Sequence, residues 1–183
     1  MRRRAFRPMR RALRRALTPN IPPALQHANQ LMAAGDYAAA AAAFADLAQR
    51  AEGNFPQHAP SLYMQAGRAA ILSGQTKIGV AHLRRGLTLF ASQGRFERMQ
   101  AFGQRAVDEL SARGLTAEAA EINDVLRANL PQRGIAAGGP AKKPVLPTHC
   151  PGCGAPVRPD EVEWLDEATA ECAFCGSPVR AES

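Results

Sequence analysis

Between Ala24 and Leu130 apolar residues recur every three to four positions, the period of helices with one buried face. The pattern divides into six segments, 24–33, 36–52, 59–73, 76–91, 95–112 and 116–129. They pair as three antiparallel hairpins. Gly35, Gly74 and Gly114 fall in the turns within these hairpins, where a helix C-terminus takes positive φ. The three glycines stand 39 and 40 residues apart, so the hairpin is a repeating unit.

Positions counted from each turn glycine repeat as well. Five residues on stand Ala40, Gly79 and Ala119, and seven back stand Ala28, Gly67 and Val107. Such small side chains let paired helices approach closely. Nine residues on come Phe44, Leu83 and Asn123, and twelve on come Leu47, Gly86 and Leu126. The third hairpin departs at Asn123, as a terminal capping repeat would.

The run Ala28…Gly35-Asp36-Tyr37…Ala40…Phe44 resembles a tetratricopeptide repeat, and Gly67…Gly74…Gly79…Leu83…Gly86 is a weaker copy. Pro131 sits where that repeat ends. Departures are a period of 39–40 residues in place of about 34, no tryptophan in the body, and small residues at Ala24 and Gly103. The extra length falls in the Glu52–Pro60 connection. The resemblance covers residues 24–131; an ordinary six-helix bundle fits the same pattern. It implies a solenoid whose first helices line a groove for a protein or peptide. Asn29, Arg68 and Gln104 would face that groove, offering amide and guanidinium donors to a peptide backbone or carboxylate.

Both flanks of the helical region differ from it. Residues 131–148 are rich in proline and glycine and lack periodicity, the composition of a flexible linker between units that need not touch. At the other end, residues 1–17 form an arginine-rich tail in which Met9, Leu13 and Leu17 share a narrow apolar stripe. Charge sharpens this division. The chain carries +7, but eight arginines and no acid lie in residues 1–15, leaving −1 for the remainder. The tail is therefore the element suited to an anionic surface, whether membrane lipid or nucleic acid, unless it is only a solubilising extension. An organellar presequence is disfavoured, since residues 1–22 contain no serine.

All four cysteines lie between positions 150 and 175, as Cys150-x2-Cys153-x18-Cys172-x2-Cys175. This spacing suits a four-thiolate zinc site. Two intervening residues let both sulfurs of a pair reach one ion, and Gly154 and Gly176 follow the pairs directly. A short hairpin is expected between them, from Val162–Leu165 to Thr169–Cys172. Both knuckles read C-x-x-C-G-x-P-V and resemble a zinc ribbon, here spanning 149–183. Four thiolates close the coordination shell, so one structural zinc per chain is expected, with no open position for catalysis. A rubredoxin-like iron electron carrier and a redox dithiol pair are the rivals. His149 is an alternative ligand of low merit, and Trp164 suits a hairpin side chain better than a base-stacking platform.

No phosphate loop, nucleophile elbow, dinucleotide fingerprint or H-E-x-x-H sequence occurs. His27, His58 and His82 are scattered, and no run approaches the length of about 20 apolar residues needed to cross a bilayer. The expected fold class is mainly α: a three-hairpin tetratricopeptide-like helical solenoid plus a small β zinc ribbon. The expected function is a non-enzymatic protein–protein interaction adaptor with no small-molecule substrate. Thiols confined to a metal motif suit a reducing cytoplasm, with membrane-peripheral contact through the tail. A nucleic-acid-associated protein using tail and ribbon is the alternative, weakened because Arg158 and Arg180 are outnumbered by acids in 149–183.

Overall fold

A computed structural model describes residues 22–130, 145–165 and 168–181. The tail stripe of Met9, Leu13 and Leu17, and most of the expected linker, lie outside the described residues. Among the described residues six helices form: α1 (Pro23–Ala34), α2 (Tyr37–Asn54), α3 (Ala59–Leu72), α4 (Thr76–Ser92), α5 (Phe96–Ala112) and α6 (Thr116–Asn129). Local chemistry sets their ends. Pro23 opens α1, where a missing N–H costs no helical bond. The Asp36 carboxylate accepts from the Ala39 N–H at 3.2 Å and caps α2.

One turn recurs throughout. Gly35, Gly74 and Gly114 all take positive φ, as expected, and Gly94 does so too at 70°. After each glycine the next residue donates back to the carbonyl five positions earlier, Asp36 to Leu31, Gln75 to Ala70, Arg95 to Phe90 and Leu115 to Leu110. This closes orphan carbonyls at the helix C-terminus. The turn at Gly94 joins the second hairpin to the third, so these hairpins follow one another with no intervening loop.

Each helix packs on its successor, and α4 also meets α6. The closest approach lies between α3 and α4, where a Cβ added at Gly67 would stand 2.8 Å from the Gly79 carbonyl oxygen. Around this contact Phe44, Leu87, Phe90, Met99, Leu110 and Ile122 are fully buried. In the third hairpin Ile122 takes the buried place and Asn123 is only half-buried. The repeat therefore departs at that one position, while Ala119 and Leu126 are buried where it predicts.

The C-terminal part is a three-stranded antiparallel sheet, β1 (Glu163–Trp164), β2 (Thr169–Glu171) and β3 (Pro178–Arg180), in the order β1-β2-β3. Trp164 pairs with Ala170, and Ala170 with Val179. β1 and β2 are the expected hairpin. β3 was not expected as a strand; its proline is tolerated because it occupies the first strand position.

The expectation of two units that need not touch is corrected. The sheet and its knuckles, hereafter the ribbon, sit against α1, α5 and the residues before α3. Phe174 meets Phe102 of α5 edge-on at 6.4 Å, and Arg98 of α5 lies 3.4 Å from Glu163. Leu146, assigned to the linker by composition, is buried. Proline and glycine content described the connection, whereas charge and aromatic complementarity decide where its end lands.

Candidate metal centre

Each knuckle is built by the same backbone scheme. The Gly154 N–H donates to the Cys150 carbonyl at 2.9 Å, and the Gly176 N–H to the Cys172 carbonyl at 3.0 Å. Cys150 N–H returns to the Ala155 carbonyl, and Cys172 N–H to that of Ser177. Both turns need positive φ at the glycine, 75° at Gly154 and 72° at Gly176, which other residues adopt only with strain. The sequence therefore folds two matched loops whose sulfurs converge.

The four Sγ atoms lie within 4.8 Å of one another. The closest pairs cross between the knuckles: Cys150 to Cys175 at 3.7 Å and Cys153 to Cys172 at 3.9 Å. Tetrahedral thiolate sites with metal–sulfur bonds of about 2.3 Å place their sulfurs ~3.8 Å apart. These two separations match that edge length, and the cluster could hold one metal ion. Cys150, Cys153 and Cys172 are buried and Cys175 partly so. Hydrogen bonding among the thiols holds Cys150 below the usual thiol range, Cys153 first among its partners. The same network pushes Cys153 up, with Cys150 as the main partner. A cation bound among these sulfurs would replace their protons. Ser177 Oγ stands 3.1 Å from Cys175 Sγ, in place to hydrogen-bond a thiolate there.

Helices reach into the knuckles. Asn29 of α1 is buried, and its amide donates to the Leu25 carbonyl at 3.0 Å and to the Cys153 carbonyl at 2.9 Å. Gln26 donates to the Gly152 carbonyl at 3.1 Å. His58 packs beside the second knuckle, close to Gly176 and Glu171. Burial holds its pKa below the usual histidine value, against the opposing charge of Glu171. The least buried ligand, Cys175, borders a cleft of about 370 Å³ lined also by Leu25, Leu47, Phe55, Leu62 and Phe174.

A second set of contacts is ionic. Arg105 donates to Asp160 at 2.6 Å and to the buried Glu161, which also faces Arg158 at 3.5 Å. Arg95 and Arg98 both approach Glu163. Arg95 also covers the Phe90 ring at 5.6 Å and donates to the Gln57 carbonyl at 2.6 Å. That second bond pins the connection before α3.

The three residues expected to face a groove have different surroundings. Asn29 is taken up by the first knuckle. Arg68 pairs with Glu109 through its Nε at 3.1 Å and lines a small cavity with Arg105, Arg158 and Glu161. Gln104 is exposed and hydrogen-bonds Asp108. His149 lies outside the sulfur cluster, with its ring against Thr148, and Trp164 donates within the ribbon to the Pro159 carbonyl. The contacting residues Arg98, Phe102 and Arg105 were not singled out from sequence. Their spacing of four and three on one helix was the available signal, since it places them on a single face.

No protein-family model, curated protein or solved structure matches this chain. Fold and site together define its class: a mainly helical protein carrying a small antiparallel sheet with a four-cysteine cluster able to hold a metal ion. No helix among the described residues is long and apolar enough to cross a membrane.

Proposed function

We propose that this chain is a non-enzymatic interaction adaptor, built as a tetratricopeptide-like repeat of three hairpins that carries a zinc ribbon. One zinc per chain, bound by Cys150, Cys153, Cys172 and Cys175, plays a structural part. The observation that carries this reading is the chemistry of the face formed by α1 and α5. There Asn29 and Gln26 donate to main-chain carbonyls, and Arg105 meets carboxylates. A peptide-binding face needs those donors. Zinc is favoured over iron because a structural tetrathiolate needs no redox-active ion. Thiols reserved for a metal suit a reducing, cytoplasmic setting.

The concentration of eight arginines in residues 1–15 favours one addition, contact of the tail with an anionic surface, lipid or nucleic acid. The test is affinity capture from source cells with the full chain and with a chain lacking residues 1–17, each with and without RNase. The adaptor reading expects protein partners that survive both RNase and tail removal. Capture that disappears with either treatment would replace it by the polyanion reading. Elemental analysis settles the metal, and a red, iron-loaded protein would overturn the zinc assignment.

A further inference from the structure

The ribbon occupies the very face that an adaptor would offer to a partner, through ion pairs set around a shared apolar contact. Residues 149–183 hold two arginines against seven acids. Three of those acids, Asp160, Glu161 and Glu163, meet arginines of α5 or the turn before it. The helical side contributes Arg95, Arg98 and Arg105, with Phe102 among them as the apolar contact for Phe174. Arg98 is 8 % exposed, and its Nη2 lacks a hydrogen-bond acceptor although Glu163 lies 3.4 Å away. That guanidinium is held in a buried seat with its second donor not fully used.

We propose that the α1/α5 face is a receptor for an acidic segment bearing an aromatic anchor. The chain's own ribbon is its resident occupant and holds that place only while its metal is bound. The inference rests on the adaptor reading and names the chemistry of the partner and its control. Two features support the control. A unit this small depends on its metal for folding, so metal loss removes the geometry that aligns Asp160, Glu161 and Glu163 with their arginines. The pairs made by Asp160 and Glu163 have exposed carboxylates, and such pairs are individually weak and readily exchanged for equivalent ones. An incoming strand with spaced carboxylates and one aromatic ring would satisfy Arg98, Arg105 and Phe102 in the same way.

The probe is a fluorescein-labelled peptide with the sequence of residues 158–165, in which Trp164 supplies the aromatic ring that Phe174 supplies in the chain, and a second peptide replaces its three acids by amides. Binding is read by fluorescence anisotropy on the full chain, under reductant, zinc-loaded or stripped by chelator, with circular dichroism confirming the helices. The stripped chain should bind the acidic peptide more tightly than the loaded chain, since an occupied face shows its affinity reduced by the fraction of molecules in which it is open. Binding should fall with salt, fail with the amide peptide, and be lost in Arg98→Glu and Arg105→Glu. Should stripping melt the helices, the zinc-loaded Asp160→Asn/Glu163→Gln variant weakens the resident contact and leaves every cysteine in place. Its affinity for the probe should exceed that of the loaded wild type. Equal binding to all three forms, or indifference to Arg105→Glu, overturns the inference. Partners that the loaded chain captures would then still stand for the adaptor reading.

Discussion

Replacing Asn29 by alanine tests how firmly the helices grip the metal knuckle. The amide is 8 % exposed and spans from α1 to the Cys153 carbonyl at 2.9 Å. Alanine removes the donor and leaves that carbonyl facing a gap of about the amide's size. Losing a buried hydrogen bond in this way costs about 1–3 kcal/mol. The Cys153 bond is lost from the docked state alone, because it does not exist once the ribbon leaves α1; the bond to the Leu25 carbonyl lies within α1 and cancels in the metal-binding comparison. Metal affinity should therefore drop about 5- to 140-fold, at 1.4 kcal/mol per factor of ten. Competition with a colorimetric zinc chelator measures this directly. Gln104→Ala is the control, since Gln104 is exposed and bonds only Asp108; its zinc affinity should stay at the wild-type value. Thermal unfolding of the metal-stripped chains should be the same for Asn29→Ala and wild type. An Asn29→Ala protein that holds zinc as tightly as wild type would refute the coupling between α1 and the knuckle.

Three further outcomes are expected. Stripping the metal, or making Cys172→Ser with Cys175→Ser, should abolish slow amide exchange in 150–180. It should also raise exchange at the docked ends of α1 and α5, while α3 and α4 stay protected; unchanged α1 and α5 would contradict docking. Gly79→Ala should destabilise the helices, because its Cβ would stand 2.6 Å from Ile71 Cγ1 and 2.8 Å from the Gly67 carbonyl oxygen. Overpacking of about 1–3 kcal/mol outweighs the helix-propensity gain of about 1 kcal/mol, and urea titration reads the difference. His82 is half-buried against Tyr63, and burial lowers its pKa from 6.5. Its contribution to stability is complete above pH 6.5 and declines as pH falls toward the lower folded value, where the unfolded chain alone takes up a proton. His82→Gln should flatten that part of the stability–pH curve.

The helices and the cysteine cluster were legible because each rests on local chemistry. Turn glycines and apolar periods are properties of adjacent residues, and every helix lies within two residues of its expected span. The cysteine knuckles carry their geometry in four-residue loops. What escaped the sequence is long-range. Asn29 was assigned to a partner and instead meets Cys153, 124 positions away. Glu161 looked like one acid among several, and it is buried only because Arg105 and Arg158 flank it. β3 was missed because its pairing with β2 follows from the fold of the second knuckle, not from any alternation of its own.

The composition of the docking face has a consequence for how the two parts share stability. Apolar residues of ribbon and helices, Phe102 and Phe174 among them, belong to one buried cluster, and buried hydrocarbon contributes whether or not the partner is well ordered. Beside it lie ion pairs: Arg105 meets the buried Glu161, and the others have an exposed partner, as with Asp160 at 51 % and Glu163 at 65 %. Such pairs add little unless several are aligned at once. Alignment is what the knuckles provide, because they fix the 158–164 loop relative to Cys153, which Asn29 holds. On the proposed reading, metal binding would stabilise the helical face indirectly, by making several weak contacts simultaneous, and part of its free energy would go into ordering them. The helices also carry a core around Phe44, Leu87 and Phe90, which the ribbon's departure would leave in place.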